Sequence, residues 1–259
     1  MKLPLFQLDA FATQPFAGNP AAVVILPDWL PDATLQAIAA ENNLAETAFV
    51  VLGEASFGLR WLTPEIEVDL CGHATLASAF VLFEHGYTAR SEVVFNYPGG
   101  TLTVVRDGDR LAMDFPSRPA QPIPRETAVG DALGAYPVEV LKARDLLAVF
   151  ESQQQIHALA PDVAALAKLD AFAVIASAPG EDCDFVSRFF APRAGVPEDP
   201  VTGSAHCTLV PYWSARLGKQ ILHARQLSRR GGELWCEDRG SRVRISGHVV
   251  EYLCGEIEV

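Results

Sequence analysis

The sequence predicts an α+β protein of two similar lobes related by internal duplication, each a β-sheet rolled around a central helix. Three observations carry that expectation. Arg60-Trp61-Leu62-Thr63-Pro64 returns as Arg188-Phe189-Phe190-Ala191-Pro192, in each case closing an apolar, strand-like run. Gly72-His73-Ala74 then answers to Gly203-Ser204-Ala205, each opening an apolar, helix-like stretch that ends at Gly86 or Gly218. A Gly-Gly pair follows at 99–100 and again at 231–232, with Leu102 and Arg110 matched by Leu234 and Arg242. The offset is 128 at the arginines, 131 at the first glycines and 132 from Gly86 onward, so small insertions separate two copies of one unit. Two copies are too few for a solenoid and suit two lobes that face each other across a cleft.

The elements follow in order. Residues 3–11 alternate in and out, and Ala21 to Leu26 is a continuous apolar strand pattern. The turn formers Pro15-Phe16-Ala17-Gly18-Asn19-Pro20 separate them. Residues 31–42 have helical spacing, with Leu35, Ile38 and Ala39 on one face. Residues 49–52 and 56–62 read as a strand pair across Gly53-Glu54. Ala74 to Phe83 is apolar on every side, the mark of a helix buried all round. Residues 101–106 and 110–115 form a hairpin across Asp107-Gly108-Asp109. The second copy predicts a helix over 161–168, strands over 171–176 and 184–190, a helix over 207–217 and a closing hairpin. Pro211 within that last helix predicts a kink or an early first turn. Residues 116–124 hold four prolines and read as the linker. The lobes are thus expected over residues 1–117, with the last strand (about 248–259) packing back on it, and 118–247.

Composition narrows the function. A formal net charge of -12 argues against nucleic acid and anionic membranes, which require a basic face. No apolar run reaches the ~20 residues of a spanning helix. Met1 to Phe6 carries one lysine and Asp9 interrupts any signal-like run, so the cytoplasm is the expected compartment. The five cysteines, at 71, 183, 207, 236 and 254, contain no C-x-x-C pair and are odd in number, which argues against zinc ribbons and a disulfide framework. Metal-ligand spacings, phosphate loops, dinucleotide glycine fingerprints and a Gly-x-Ser-x-Gly elbow are all absent from the sequence.

The chemistry-bearing residues gather at the two glycine turns. Asp69 to Thr75 and Glu198 to Ser204 each place a glycine where a loop becomes a helix, so free N–H groups and the positive dipole end face outward. Two such helix starts would hold a carboxylate without arginine, although Asp69 and Ser204 would also serve as plain N-caps. His73 stands at one entrance, with a titration range suited to proton shuttling. Asp199 precedes Pro200, which keeps it out of helix geometry and leaves its carboxylate on the loop. Glu46 lies between a helix and a core strand; its residue context favours a solvated carboxylate over a desolvated one. Residues two apart do not readily converge at such a turn, which argues against a Cys71–His73 pair.

These motifs together resemble those of the phenazine-biosynthesis PhzF-like isomerases, relatives of diaminopimelate epimerase. The matching pieces are Asp9-Ala10-Phe11 with Gly18-Asn19-Pro20, Asn43-Leu44-Ala45-Glu46-Thr47-Ala48-Phe49, Leu70-Cys71-Gly72-His73-Ala74-Thr75 and Asp199-Pro200-Val201-Thr202-Gly203-Ser204-Ala205, in the family's order over essentially the whole chain. The resemblance implies a diaminopimelate epimerase-like fold, no cofactor and no metal, a small carboxylate-bearing substrate bound between the lobes, and a homodimer. It implies Glu46 as the principal acid/base, assisted by His73 and Asp199. Backbone at Gly72, Gly203 and Ser204 would hold the substrate carboxylate, with Asn19 a further contact. It also reverses the solvated reading of Glu46, since a general base there would be shielded from water. The epimerase relatives use one cysteine on each lobe. Cys71 fits the first, but Pro200 stands where the second would be. That departure favours carboxylate-based isomerisation over the alternatives, a Cys71-assisted racemase or epimerase and a non-catalytic small-molecule binding protein.

Overall fold

The computed structural model describes residues 1–124 and 127–259. The chain divides into two compact units, residues 1–114 with 246–259, and residues 115–245. In the first unit, strand Lys2–Ala10 pairs antiparallel with Val249–Glu258 on one side and with Asn19–Leu26 on the other. The sheet continues through parallel Glu46–Val51, antiparallel Phe57–Leu62, parallel Glu92–Tyr97 and the antiparallel strands Gly100–Asp107 and Arg110–Pro116.

Both faces of strand Asn19–Leu26 are covered, which is why Ala21 to Leu26 is apolar without alternation. Val24 and Leu26 meet Leu35, Ile38 and Ala39 of helix Asp32–Asn42, together with Leu3, Phe49 and Leu62. The pleat sends Ala21, Val23 and Ile25 to the opposite face, where helix Gly72–Glu84 packs. That helix also touches strands Lys2–Ala10, Glu46–Val51, Gly100–Asp107 and Val249–Glu258, so the sheet curls round it from both ends. Ten of its thirteen residues are buried, as a helix without a polar face requires.

The second unit repeats the pairing sense. From Asn19–Leu26 to Gly100–Asp107 the first unit runs parallel, antiparallel, parallel, antiparallel. From Leu146–Val149 through Val174–Pro179, Phe185–Ala191 and Ile221–Gln226 to Gly232–Asp238 the same succession recurs. The duplication read in the sequence is therefore a duplication of topology.

Several boundaries differ from expectation. The strand expected over 171–176 is Val174–Pro179, and the helix over 161–168 shrinks to Val163–Leu166, N-capped by the Asp162 carboxylate. Helices Thr127–Leu133 and Gln153–Ala158 and strands Glu139–Lys142 and Leu146–Val149 were not announced by periodicity, because each is too short to show one. The expected helix over 207–217 starts earlier, at Gly203, which puts Pro211 in mid-helix rather than in a first turn. Pro211 lacks the N–H that would bond the Cys207 carbonyl four residues back. The Arg118 N–H supplies that bond instead, at 2.9 Å, so the proline-rich segment is tied to the helix. Among the described residues no helix is long and apolar enough to cross a membrane.

Candidate active site

In the first unit the backbone delivers four of the expected residues to one place. Gly18 sits at φ +66, and a Cβ there would lie 2.2 Å from the Ala10 carbonyl oxygen. This tight turn starts the next strand at Asn19, which is fully buried. Helix Asp32–Asn42 ends on Asn43 at φ 48, a left-handed position that asparagine tolerates. Three residues later Glu46 opens a strand whose first position lies opposite Ala21. Cys71 is the N-cap of helix Gly72–Glu84 in an extended conformation and makes no side-chain cap hydrogen bond. His73 is on the first turn.

These side chains converge. Glu46 Oε2 lies 3.1 Å from His73 Nε2, with side-chain exposures of 17% and 7%. The Asn19 amide nitrogen is 3.2 Å from His73 Nδ1. Cys71 Sγ is 3.5 Å from the same Nδ1, which corrects the expectation that residues two apart stay separate: the extended Cys71 backbone folds both side chains to one side of the turn. The shielding of Glu46 implied by the resemblance is what the geometry shows, against the solvated reading of its local sequence.

Burial alone would lower the His73 imidazole, but Cys71 and Glu46 beside it prevail and hold it well above its ordinary value. Burial pushes the Cys71 thiol up, so the sulfur stays protonated near neutrality. Cys71 and Glu46 thus both favour the imidazolium form of His73. With a neutral ring, Asn19 donates to Nδ1 and Nε2–H faces Glu46. Protonation makes Nδ1 a donor and calls for the amide oxygen in place of the amide nitrogen. The ligand atoms of Glu46, Cys71 and His73 lie within 4.8 Å of one another, close enough for a metal, though a thiol kept protonated by burial works against one.

A raised folded-state pKa gives a stability contribution that is whole below the unfolded value of 6.5 and is lost as pH rises through the folded value. An NMR titration of the His73 ring is expected to show its midpoint above 6.5 in the wild type and lower in Glu46→Gln, which loses one of the two groups that raise it. An unmoved midpoint would remove Glu46 as a cause.

The second unit assembles the remaining three. Thr202 is the N-cap of helix Gly203–Leu217 and makes no side-chain cap bond, because its hydroxyl donates to Asp199 Oδ2. Neither Asp69 nor Ser204 caps a helix, so plain capping does not account for the two glycine turns. Gln226, fully buried, accepts from Thr202 N–H at 2.9 Å and donates to the Asp199 carbonyl at 2.7 Å, fixing the loop that carries Asp199. Gly203 is buried, yet a Cβ on it would meet nothing within 4 Å, which leaves space at the helix start. Arg144 reaches to 3.4 Å from Ser204 Oγ while gripping Asp145 through Nε and Nη2, both at 3.0 Å. Gln226 and Arg144 escaped the sequence reading: each acts across more than twenty residues, beyond the reach of any local motif.

Comparison with known proteins gives this geometry its context. The chain matches the family described as phenazine biosynthesis-like protein over residues 8–255. It belongs to that family. Two uncharacterized isomerases of Pseudomonas aeruginosa are 50% identical over 260 residues and 51% identical over 259, each over 100% of both chains. The crystal structure of a PhzF-family phenazine biosynthesis protein of Enterococcus faecalis superposes with a TM-score of 0.98 at 45% identity, covering 100% of both chains. A hydroxyproline epimerase of Agrobacterium vitis, 12% identical with a TM-score of 0.62 over 99% of this chain and 92% of its own, shares the fold. The phenazine biosynthesis-like chain is thus an isomerase with the expected epimerase-type α+β architecture of two similar lobes.

Proposed function

We propose that this isomerase moves a proton within a small carboxylate-bearing metabolite by acid/base catalysis that needs no cofactor. Glu46 removes the proton from a carbon made acidic by conjugation, and Glu46 or the His73/Asp199 pair returns it elsewhere. The observation that carries the reading is the shielded Glu46 carboxylate 3.1 Å from the buried His73 ring at the mouth of a buried helix. Glu46 Oε2 is shut off from solvent and faces His73 Nε2. A carboxylate so placed can take a proton without competition from bulk water. In this proposal Gly72, and in the second unit Gly203 and Ser204, offer backbone N–H groups to the substrate carboxylate, with Asn19 steadying His73. Incubation in deuterated water with amino acids and unsaturated cyclic acids should show, by NMR, protein-dependent exchange at one carbon. A panel without exchange would count against the reading.

Gly203→Ala tests the carboxylate clamp separately. The new methyl meets no protein atom within 4 Å, and alanine in a helix is favoured over glycine by about 0.5–1 kcal/mol. Thermal stability should hold or rise while KM increases at least tenfold. Unchanged KM would show that nothing binds beside Gly203.

One observation favours a second reading, a Cys71-assisted epimerase: the thiol touches the His73 ring. It predicts stoichiometric inactivation on alkylating Cys71 and deuterium at a stereocentre. Burial, which holds that thiol protonated, weighs against it.

A further inference from the structure

A second cluster of reactive side chains lies in the first unit and takes no part in the proposed proton transfer. His85 is the C-cap of helix Gly72–Glu84, and its Nε2 sits 2.6 Å from Glu251 Oε2. With Cys254 these residues place an imidazole nitrogen, a carboxylate oxygen and a sulfur all within 4.8 Å of one another. Glu251 and Cys254 are three apart on one strand, which in regular pleating would point them to opposite faces. A bulge changes this. Gln7 is opposite Leu253 and Leu8 is opposite Glu251, leaving Tyr252 unmatched and bringing 251 and 254 to the same face. Phe6, the partner of Cys254 across the ladder, packs its ring 4.4 Å from the His85 ring and holds the imidazole in place.

We propose that His85, Glu251 and Cys254 form a binding site for a zinc-like divalent ion that pins the strand Val249–Glu258 to the end of the buried helix. The donor set is one nitrogen, one sulfur and one oxygen, which suits zinc chemistry and not calcium or magnesium. A tetrahedral ion with bonds of about 2.0–2.3 Å needs its ligand atoms about 3.3–3.8 Å apart. The His85–Glu251 contact therefore opens by somewhat less than an ångström, and the fourth position faces water. The position also suits a cation on electrostatic grounds, because the last carbonyls of the helix converge at its C-terminus. Binding displaces the Cys254 thiol proton to solvent and forms the metal–sulfur bond with the resulting thiolate.

The test uses the full chain, stripped with a chelator and titrated with cobalt(II), then zinc. The expected result is a near-ultraviolet thiolate-to-cobalt absorption that saturates at roughly one equivalent at micromolar metal and is discharged by zinc. It should vanish in Cys254→Ser, weaken at least tenfold in His85→Ala and survive in Cys71→Ser. Zinc should raise the unfolding midpoint of the wild type and not that of Cys254→Ser. No absorption, saturation only at millimolar metal, or a signal lost in Cys71→Ser and kept in Cys254→Ser would overturn the proposal, the last by assigning the ion to the Glu46 cluster.

Discussion

Glu46→Gln is expected to lower kcat by about 10²–10⁴, the usual contribution of a positioned acid or base, while leaving the protein folded. Glutamine preserves the shape and length of the side chain and removes only the charge and the ability to take a proton. The protein should keep its circular dichroism and its unfolding midpoint to within a few degrees. It should also still bind a carboxylate ligand, because the helix-start N–H groups do not depend on Glu46. Binding and turnover thus separate in one variant. Retained turnover would end the proposal that Glu46 is the base. Lost binding together with lost turnover would show instead that Glu46 organises the pocket through His73. Solvent deuterium exchange is the sharper readout, since it registers proton removal even when the product is released slowly.

The largest expected loss of stability is at Trp213, on helix Gly203–Leu217. Its side chain is 1% exposed. It stacks on Phe185 at 5.8 Å with an interplanar angle of 7° and meets Tyr212 edge-on at 5.2 Å. Its indole N–H donates to Ser177 Oγ at 2.9 Å, and Ser177 in turn donates to the Val186 carbonyl. Trp213→Ala removes the ring contacts, opens a cavity and deprives Ser177 of its donor, so chemical denaturation should show a loss of about 3–5 kcal/mol. Trp213→Phe keeps most of the apolar bulk and loses the hydrogen bond, for which about 1–1.5 kcal/mol is expected. Equal losses in the two variants would mean that the hydrogen bond, and not the packing, dominates at this position.

How much of this was legible in the chain follows from the range of each interaction. Helix Gly72–Glu84 announces itself because burial on every side leaves no charged position in its middle, and its two hydroxyls, Thr75 and Ser78, bond back to helix carbonyls. Strand Asn19–Leu26 does so for the same reason. The start of helix Gly203–Leu217 was harder: the glycine turn at 203 marks it, but the helical pattern was placed only over 207–217, with Pro211 as a kink or first turn, and the Arg118 N–H that satisfies the Cys207 carbonyl lies far away in sequence. The site shows the same division. Glu46, His73 and Asp199 were singled out by position beside turns and helix starts. Their surroundings were not, because the Glu46–His73 and Asn19–His73 contacts join residues 27 and 54 positions apart. Local context misjudged the exposure of Glu46, and only the likeness to a family corrected it. The ligands proposed for the metal, at 85, 251 and 254, form no spacing that a motif would show.

The pairing of strand Lys2–Ala10 with Val249–Glu258 has a consequence for biosynthesis. The first unit is interrupted in sequence by the whole of the second, which is contiguous. On the ribosome the second unit is complete once residue 245 has emerged, while the first must wait for residues 249–258. Until then Lys2–Ala10 has a bare edge, an invitation to pair with another chain. A nascent chain halted just short of the last strand should therefore protect amides of the second unit from exchange before those of the first, although the first is made earlier.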